Sequence, residues 1–189
     1  MTLRIGLFGG SFDPFHLGHF LIARTSREIF RLHKVVFLPC AHSPLKKVRP
    51  VAGDRARLAM LRQGLKEQGW AEVSNWEIQR GGVSYTVDTL QAMQKRHPGA
   101  SFFWIMGSDQ WDLLPSWKEP QALRKKLRFL VFPRPQIPRS RRGFRMRKIP
   151  MRLDISATEV RRRIRENLPI TGMVLPTVET LIRKNRWYR

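Results

Sequence analysis

At 189 residues with 42% hydrophobic content, the chain is long enough for one α/β domain with a full core and short for two. No apolar run approaches the roughly 20 residues of a membrane span, the first residues do not compose a signal peptide, and the single cysteine, Cys40, excludes an internal disulfide and fits a reducing, cytoplasmic setting. The 36 Lys+Arg against 14 Asp+Glu leave a net charge of +22, a field that attracts polyanions but decides nothing about fold.

Leu3 to Phe8 is a short apolar run suited to a buried strand. Residues 9–19 follow as Gly-Gly-Ser-Phe-Asp-Pro-Phe-His-Leu-Gly-His and lead into a helical pattern with Leu17, Phe20 and Leu21 on one face. Lys34–Pro39 is a second buried strand, stopped by proline. A loop through Pro44 and Pro50 precedes a helix near 54–67 with Leu58, Leu61 and Leu65 inward. Ala71–Ile78 has strand character, Tyr85–Lys95 is helical, and Ser101–Met106 is a strongly apolar strand. Short helices near 109–114 and 120–125 lead to a strand at Leu127–Phe132. Between Pro120 and Leu153 there are twelve Lys/Arg and no acidic residue. The part from about 134 to 149, with its prolines and glycine, reads as an extended basic loop. That loop is either a polyanion contact, including an electrostatic funnel for a small polyanion, or a solvated surface. A helix near 157–166 buries Val160 and Ile164, and another near 177–184 buries Val178, Leu181 and Ile182.

Strands alternating with helices predict a doubly wound parallel sheet with helices on both faces, in one domain spanning residues 1–189. Ligands of such sheets sit at the carboxyl ends of the strands, where the 9–19 loop leaves the first strand. Gly9 and Gly10 permit a tight turn and close approach to a ligand. The helix start adds unpaired N–H groups and a positive dipole end. His16 and His19, three apart, face the same way in the first helical turn and suit polyphosphate. The segment is neither a Gly-x-Gly-x-x-Gly fingerprint nor a P-loop.

It resembles the His-x-Gly-His signature of the nucleotidyltransferase superfamily, which transfers a nucleoside monophosphate from a nucleoside triphosphate. A second element, Asp154-Ile-Ser-Ala-Thr-Glu-Val-Arg161, has the Ser156/Glu159 spacing of a capping box. It is also similar to the family's Ile-Ser-x-Thr-x-x-Arg string over the ATP phosphates. Ser156, Thr158 and Arg161 stand at the matching places, and Ala157 replaces a small hydroxyl residue. The middle of the chain narrows the resemblance to the nicotinate mononucleotide adenylyltransferase branch, over nearly the whole length. Ser84–Leu90 looks like the branch's pyridine-nucleotide segment, Phe102–Asp109 like its strand ending in Gly-x-Asp, and Trp117 like an aromatic stacked on the pyridine. Taken alone, Trp117 also reads as a packing indole and Asp109 as a helix N-cap. The family's Pro-Pro-His-Lys loop reads His42-Ser-Pro-Leu-Lys46-Lys47 here, with Leu45 in place of the histidine and His42 nearby.

The resemblance implies transfer of the adenylyl group of ATP to nicotinate mononucleotide, giving deamido-NAD and pyrophosphate. It places Gly9, Gly10, Ser11, Phe12, His16, His19, Ser156, Thr158 and Arg161 at ATP. Lys46, Tyr85, Thr86, Gly107, Asp109 and Trp117 fall at nicotinate mononucleotide, with His16, His19, Lys46 and Arg161 as the catalytic charges and donors. Mg²⁺ arrives with ATP, bound mainly by phosphate and water, and His/Cys/Asp/Glu spacing for a protein metal site is absent. A homo-oligomer is compatible with the sequence; a membrane or specific nucleic-acid partner is not expected. The rivals are a sister transferase acting on phosphopantetheine, nicotinamide mononucleotide or with a cytidylyl donor, a nucleic-acid-binding protein motivated by the charge, and an inactive scaffold. The middle segments oppose the first, and no nucleic-acid-binding signature supports the second. The retained phosphate-handling residues oppose the third.

Overall fold

The computed structural model describes residues 2–46, 48–134 and 136–189. Among them, β1 (Arg4–Gly10), β2 (Lys34–Pro39), β3 (Ala71–Val73), β4 (Ser101–Gly107), β5 (Leu127–Phe132) and β6 (Met146–Lys148) form one sheet. Every pairing is parallel, in the order β3–β2–β1–β4–β5–β6. The order reverses direction between β1 and β4, which opens a crevice at their carboxyl ends.

The strands are apolar on both faces because both faces are covered. Phe8, Val35, Phe37, Phe103, Ile105 and Leu130 share a core with α1 (Leu17–Ile29), α2 (Asp54–Leu65), α7 (Ala157–Arg165) and α8 (Pro176–Lys184). Ile5, Leu7, Val36, Trp104, Phe129 and Val131 point the other way, against α4 (Thr86–Arg96), α5 (Ser108–Leu113) and α6 (Pro120–Lys126).

Four readings are corrected. The strand expected over 71–78 stops at Val73: the Ser74 hydroxyl accepts the Trp76 N–H at 3.3 Å and the chain turns into α3 (Trp76–Arg80). Leu58 is only half-buried, and Met60 and Arg57 take the inward side of α2. Ile164 and Leu181 are likewise half-buried, Ile164 packing at the edge of the core that Val160, Val178 and Ile182 enter. The basic segment is not all loop, since Met146–Lys148 adds an edge strand whose cations give no apolar alternation to read. Pairing with β5 creates that strand, and the anchor is aromatic: Phe144 packs on Trp111 and Phe129, and the Trp111 indole N–H donates to the Arg139 carbonyl at 2.8 Å.

Candidate active site

β1 delivers the glycine-rich loop to the crevice. A Cβ at Gly9 would lie 2.9 Å from the Trp104 ring, so the strand end fits against β4 only without a side chain. Three residues on, Phe12 holds a left-handed backbone (φ 49°) and is 1% exposed. Edge contacts with Phe8, Phe15 and His19 hold that ring in place, which keeps the strained turn in one form.

The two histidines start α1. His16 is the N-cap, its Nδ1 accepting the His19 N–H at 3.4 Å, while the His19 Nδ1 accepts the His16 N–H at 3.3 Å. This is a reciprocal capping box made of two imidazoles, stacked with ring centroids 3.6 Å apart. A neutral imidazole that accepts at Nδ1 carries its hydrogen on Nε2, so each ring keeps one donor for a ligand. Burial, aided by the Arg134 guanidinium, pushes the His16 pKa down to about 3. Burial holds His19 well below the usual histidine range too, with His16, Arg134 and Lys46 adding to it. Both rings are therefore neutral donors near neutral pH.

Beneath the loop lies a fully buried arginine that the sequence reading did not single out. Arg57 donates at 2.8 Å to the carbonyls of both Ser11 and Cys40 and pairs with Asp54. Holding those two carbonyls fixes the loop's peptide planes. The Cys40 thiol beside it is buried, and burial raises its pKa, which keeps it an unreactive packing group. Asp13 is buried as well, accepting the N–H groups of Val51 at 2.7 Å and Ala52 at 3.0 Å. Arg161, reaching over from α7, donates to the Asp13 carbonyl at 2.6 Å and to the Thr158 hydroxyl at 3.3 Å.

These groups line a cleft of about 820 Å³, in the size range of small-molecule sites. Gly9, Gly10, Ser11, Phe12, His16, His19, Thr158 and Arg161 lie along it, and so do Lys46, Tyr85, Thr86, Gly107, Asp109 and Trp117. Lys46 donates to the Ser11 hydroxyl at 3.0 Å. Among the described residues, Asp109 Oδ1 and the Trp117 indole N–H are buried and have no hydrogen-bond partner. Ser156 is not part of the lining: its hydroxyl accepts the Glu159 N–H at 3.2 Å and caps α7, while Glu159 turns to Arg162 instead of completing the box. His42 is also off the lining, and Leu45 is on it. Sequence reasoning missed Arg134, assigned to the basic loop yet facing the cleft near both histidines, and Glu77, a buried cleft carboxyl bonded by the Thr89 hydroxyl at 2.6 Å. Spacing could not reveal either, because each arrives from a different strand end. Among the described residues no three His, Cys, Asp or Glu side chains cluster to hold a metal ion, and no helix is long and apolar enough to cross a membrane.

The cytidylyltransferase-like family model matches residues 7–163, a span that contains the paired histidines and Arg161. A probable nicotinate-nucleotide adenylyltransferase of Methylacidiphilum infernorum is 39% identical over 189 residues, covering 99% of this chain and 93% of that protein. Another, from Thermus thermophilus, is 37% identical over 195 residues, covering 99% and 100%. The fold is also that of the Plasmodium falciparum nicotinic acid mononucleotide adenylyltransferase solved with NaAD, at a TM-score of 0.81 and 20% identity over 98% of this chain and 97% of the other. The dipole-backed histidine pair at the switch point of a parallel sheet, together with identity of this depth along the full chain, means that the protein belongs to the cytidylyltransferase-like family and, within it, to the nicotinate-nucleotide adenylyltransferases.

Proposed function

We propose that the protein joins nicotinate mononucleotide to the adenylyl group of ATP. An oxygen of the 5′-phosphate of nicotinate mononucleotide attacks the α-phosphorus of ATP in line. The new P–O bond forms as the bond to the β-phosphate breaks, and the electron pair leaves on pyrophosphate. The attacking phosphate is already an anion near neutral pH, so no strong base is needed. Positioning and charge neutralisation then carry the rate. The observation that carries this reading is the pair of neutral imidazoles, each left with an Nε2–H donor, at the dipole end of α1.

In this reading His16 and His19 bind the phosphates as charge moves toward the leaving group. Arg161, Lys46 and Arg134 supply positive charge, and Ser11 and Thr158 donate supporting hydrogen bonds. Ser156 acts by capping α7. Mg²⁺ enters with ATP as part of the substrate. Trp117 and Tyr85 flank the pyridine ring, a flat partner that adds about 0.5–1.5 kcal/mol beyond burial. The start of α4 has no side-chain cap, so its N–H groups suit a carboxylate better than an amide. Asp109 accepts from the ribose.

The test is pyrophosphate release from Mg²⁺–ATP with nicotinate mononucleotide, nicotinamide mononucleotide or phosphopantetheine supplied separately. Release that requires nicotinate mononucleotide and is lost in His16→Ala supports the reading. Release with a different acceptor keeps the mechanism and replaces the substrate, and no release with any of them removes the assignment.

A further inference from the structure

Asp13 joins more of the cleft than its place in the loop suggests. Its Oδ1 accepts from Ala52 N–H at 3.0 Å and from the Tyr188 hydroxyl at 2.8 Å. Its Oδ2 accepts Val51 N–H at 2.7 Å and lies 3.8 Å from Nη1 of Arg161, the same nitrogen that donates to the Asp13 carbonyl. One residue thus ties together the glycine-rich loop, the segment bearing Val51, and α7. Each of the three supplies a wall of the cleft.

The fourth element, Tyr188, comes from 175 residues away and is 7% exposed. After α8 the chain takes left-handed backbone at Arg186 (φ 52°) and again at Tyr188 (φ 72°), which residues with side chains seldom adopt. Such a path persists when the contacts at its end hold it. Those contacts are the hydroxyl's bond to the Asp13 carboxylate, the same hydroxyl's approach to Met60 Sδ at 4.0 Å, and the burial of the ring in the core. Packing alone would be met by a phenylalanine ring, so the hydroxyl is the informative atom. Burial and the neighbouring Asp13 push the phenol pKa up, so the hydroxyl remains a donor at working pH.

We propose that Tyr188 is a positioning residue for the ATP phosphate site: through Asp13 its hydroxyl sets Arg161 and the 51–52 segment relative to the paired histidines. The inference rests on the proposed function only in taking Arg161 and the histidines as the phosphate site. Without the hydroxyl, Asp13 is held only by the two N–H groups of the 51–52 segment, and the Asp13 carbonyl that accepts from Arg161 is less firmly placed. Among the described residues, Tyr85, Thr86, Asp109 and Trp117 share no hydrogen bond or ion pair with Asp13, Arg161 or Tyr188, so the two substrates are affected differently.

The experiment compares the wild type with Tyr188→Phe, which keeps the ring. Calorimetric binding of Mg²⁺–ATP and steady-state kinetics in each substrate are measured on both. The expected result is roughly tenfold weaker ATP binding and a matching rise in KM for ATP, the size of a lost hydrogen bond to an ionised group, with KM for nicotinate mononucleotide unchanged within about twofold. In an Asp13→Ala background, where the acceptor is already gone, the same substitution is expected to have no further effect on ATP. Unchanged ATP affinity, equal loss for both substrates, or additive effects in the double variant would each overturn the proposal. Wild type that binds Mg²⁺–ATP but releases no pyrophosphate refutes the reaction while the affinity comparison still decides Tyr188. Wild type that does not bind ATP overturns both.

Discussion

His16 caps a helix and, as proposed, binds phosphate, and the two duties can be separated by substitution. Asparagine is a good N-cap, whereas alanine is not. His16→Asn is therefore expected to melt close to the wild type while turnover falls about 10²–10³-fold, by analogy with removing one oxyanion donor. His16→Ala is expected to lose about 1 kcal/mol of stability in addition, read by urea unfolding. The depressed pKa gives a second check. Unfolded His16 titrates near 6.5 and folded His16 at about 3, so between those values the unfolded chain binds more protons. Stability from this group is complete above about pH 6.5 and declines as pH falls toward 3. Urea midpoints at pH 7 and 4.5 are expected to differ less in His16→Asn than in the wild type. His19, shifted the same way, keeps part of the difference. The residue types and spacing of this pair were legible in the sequence. Their mutual capping was not, because it depends on ring geometry that spacing alone does not determine.

At the scale of elements, α2 and α8 press on the phosphate loop from behind. A Cβ at Gly64 would lie 2.9 Å from the Phe15 ring and 3.0 Å from Val178. Glycine to alanine in a helix ordinarily gains up to about 1 kcal/mol. Here Phe15 is fully buried and stacked on His19 (ring centroids 6.0 Å apart), so it has nowhere to move. Overpacking costs about 1–3 kcal/mol and wins. Gly64→Ala is expected to lower stability by about 1 kcal/mol and to slow turnover through His19, measured by unfolding and pyrophosphate release together. Helices and strands with strong apolar periods, such as α4, β2 and β4, were readable to within a residue or two. What escaped reading was β6, whose arginine and lysine form a strand only because β5 offers an edge, and Arg57, a buried guanidinium in a helix that otherwise looks ordinarily amphipathic.

The whole molecule carries +22, with Arg134 lining the cleft and the cations of residues 139–148 leading into and through β6. Such a field speeds the arrival of polyanions and is screened within about 8–10 Å at physiological salt. For this chain kcat/KM for ATP is expected to fall as salt rises from 20 to about 200 mM, with kcat nearly constant. Replacing Arg142, Arg145 and Arg147 by glutamine is the suitable probe, since cutting the segment out would remove β6. A shallower salt slope supports a funnel for ATP, and an unchanged slope leaves those cations as a solvated edge.

The bond between Asp13 and Tyr188 also sets a schedule. The loop that carries the histidines is synthesised 175 residues before the tyrosine that anchors it. At ordinary translation speeds of about 5–20 residues per second, that is a wait of roughly 10–35 s. Through that interval the nascent chain holds a glycine-rich loop whose aspartate lacks one of its partners. Assembly of the nucleotide site therefore waits on a residue made long after its most recognisable motif.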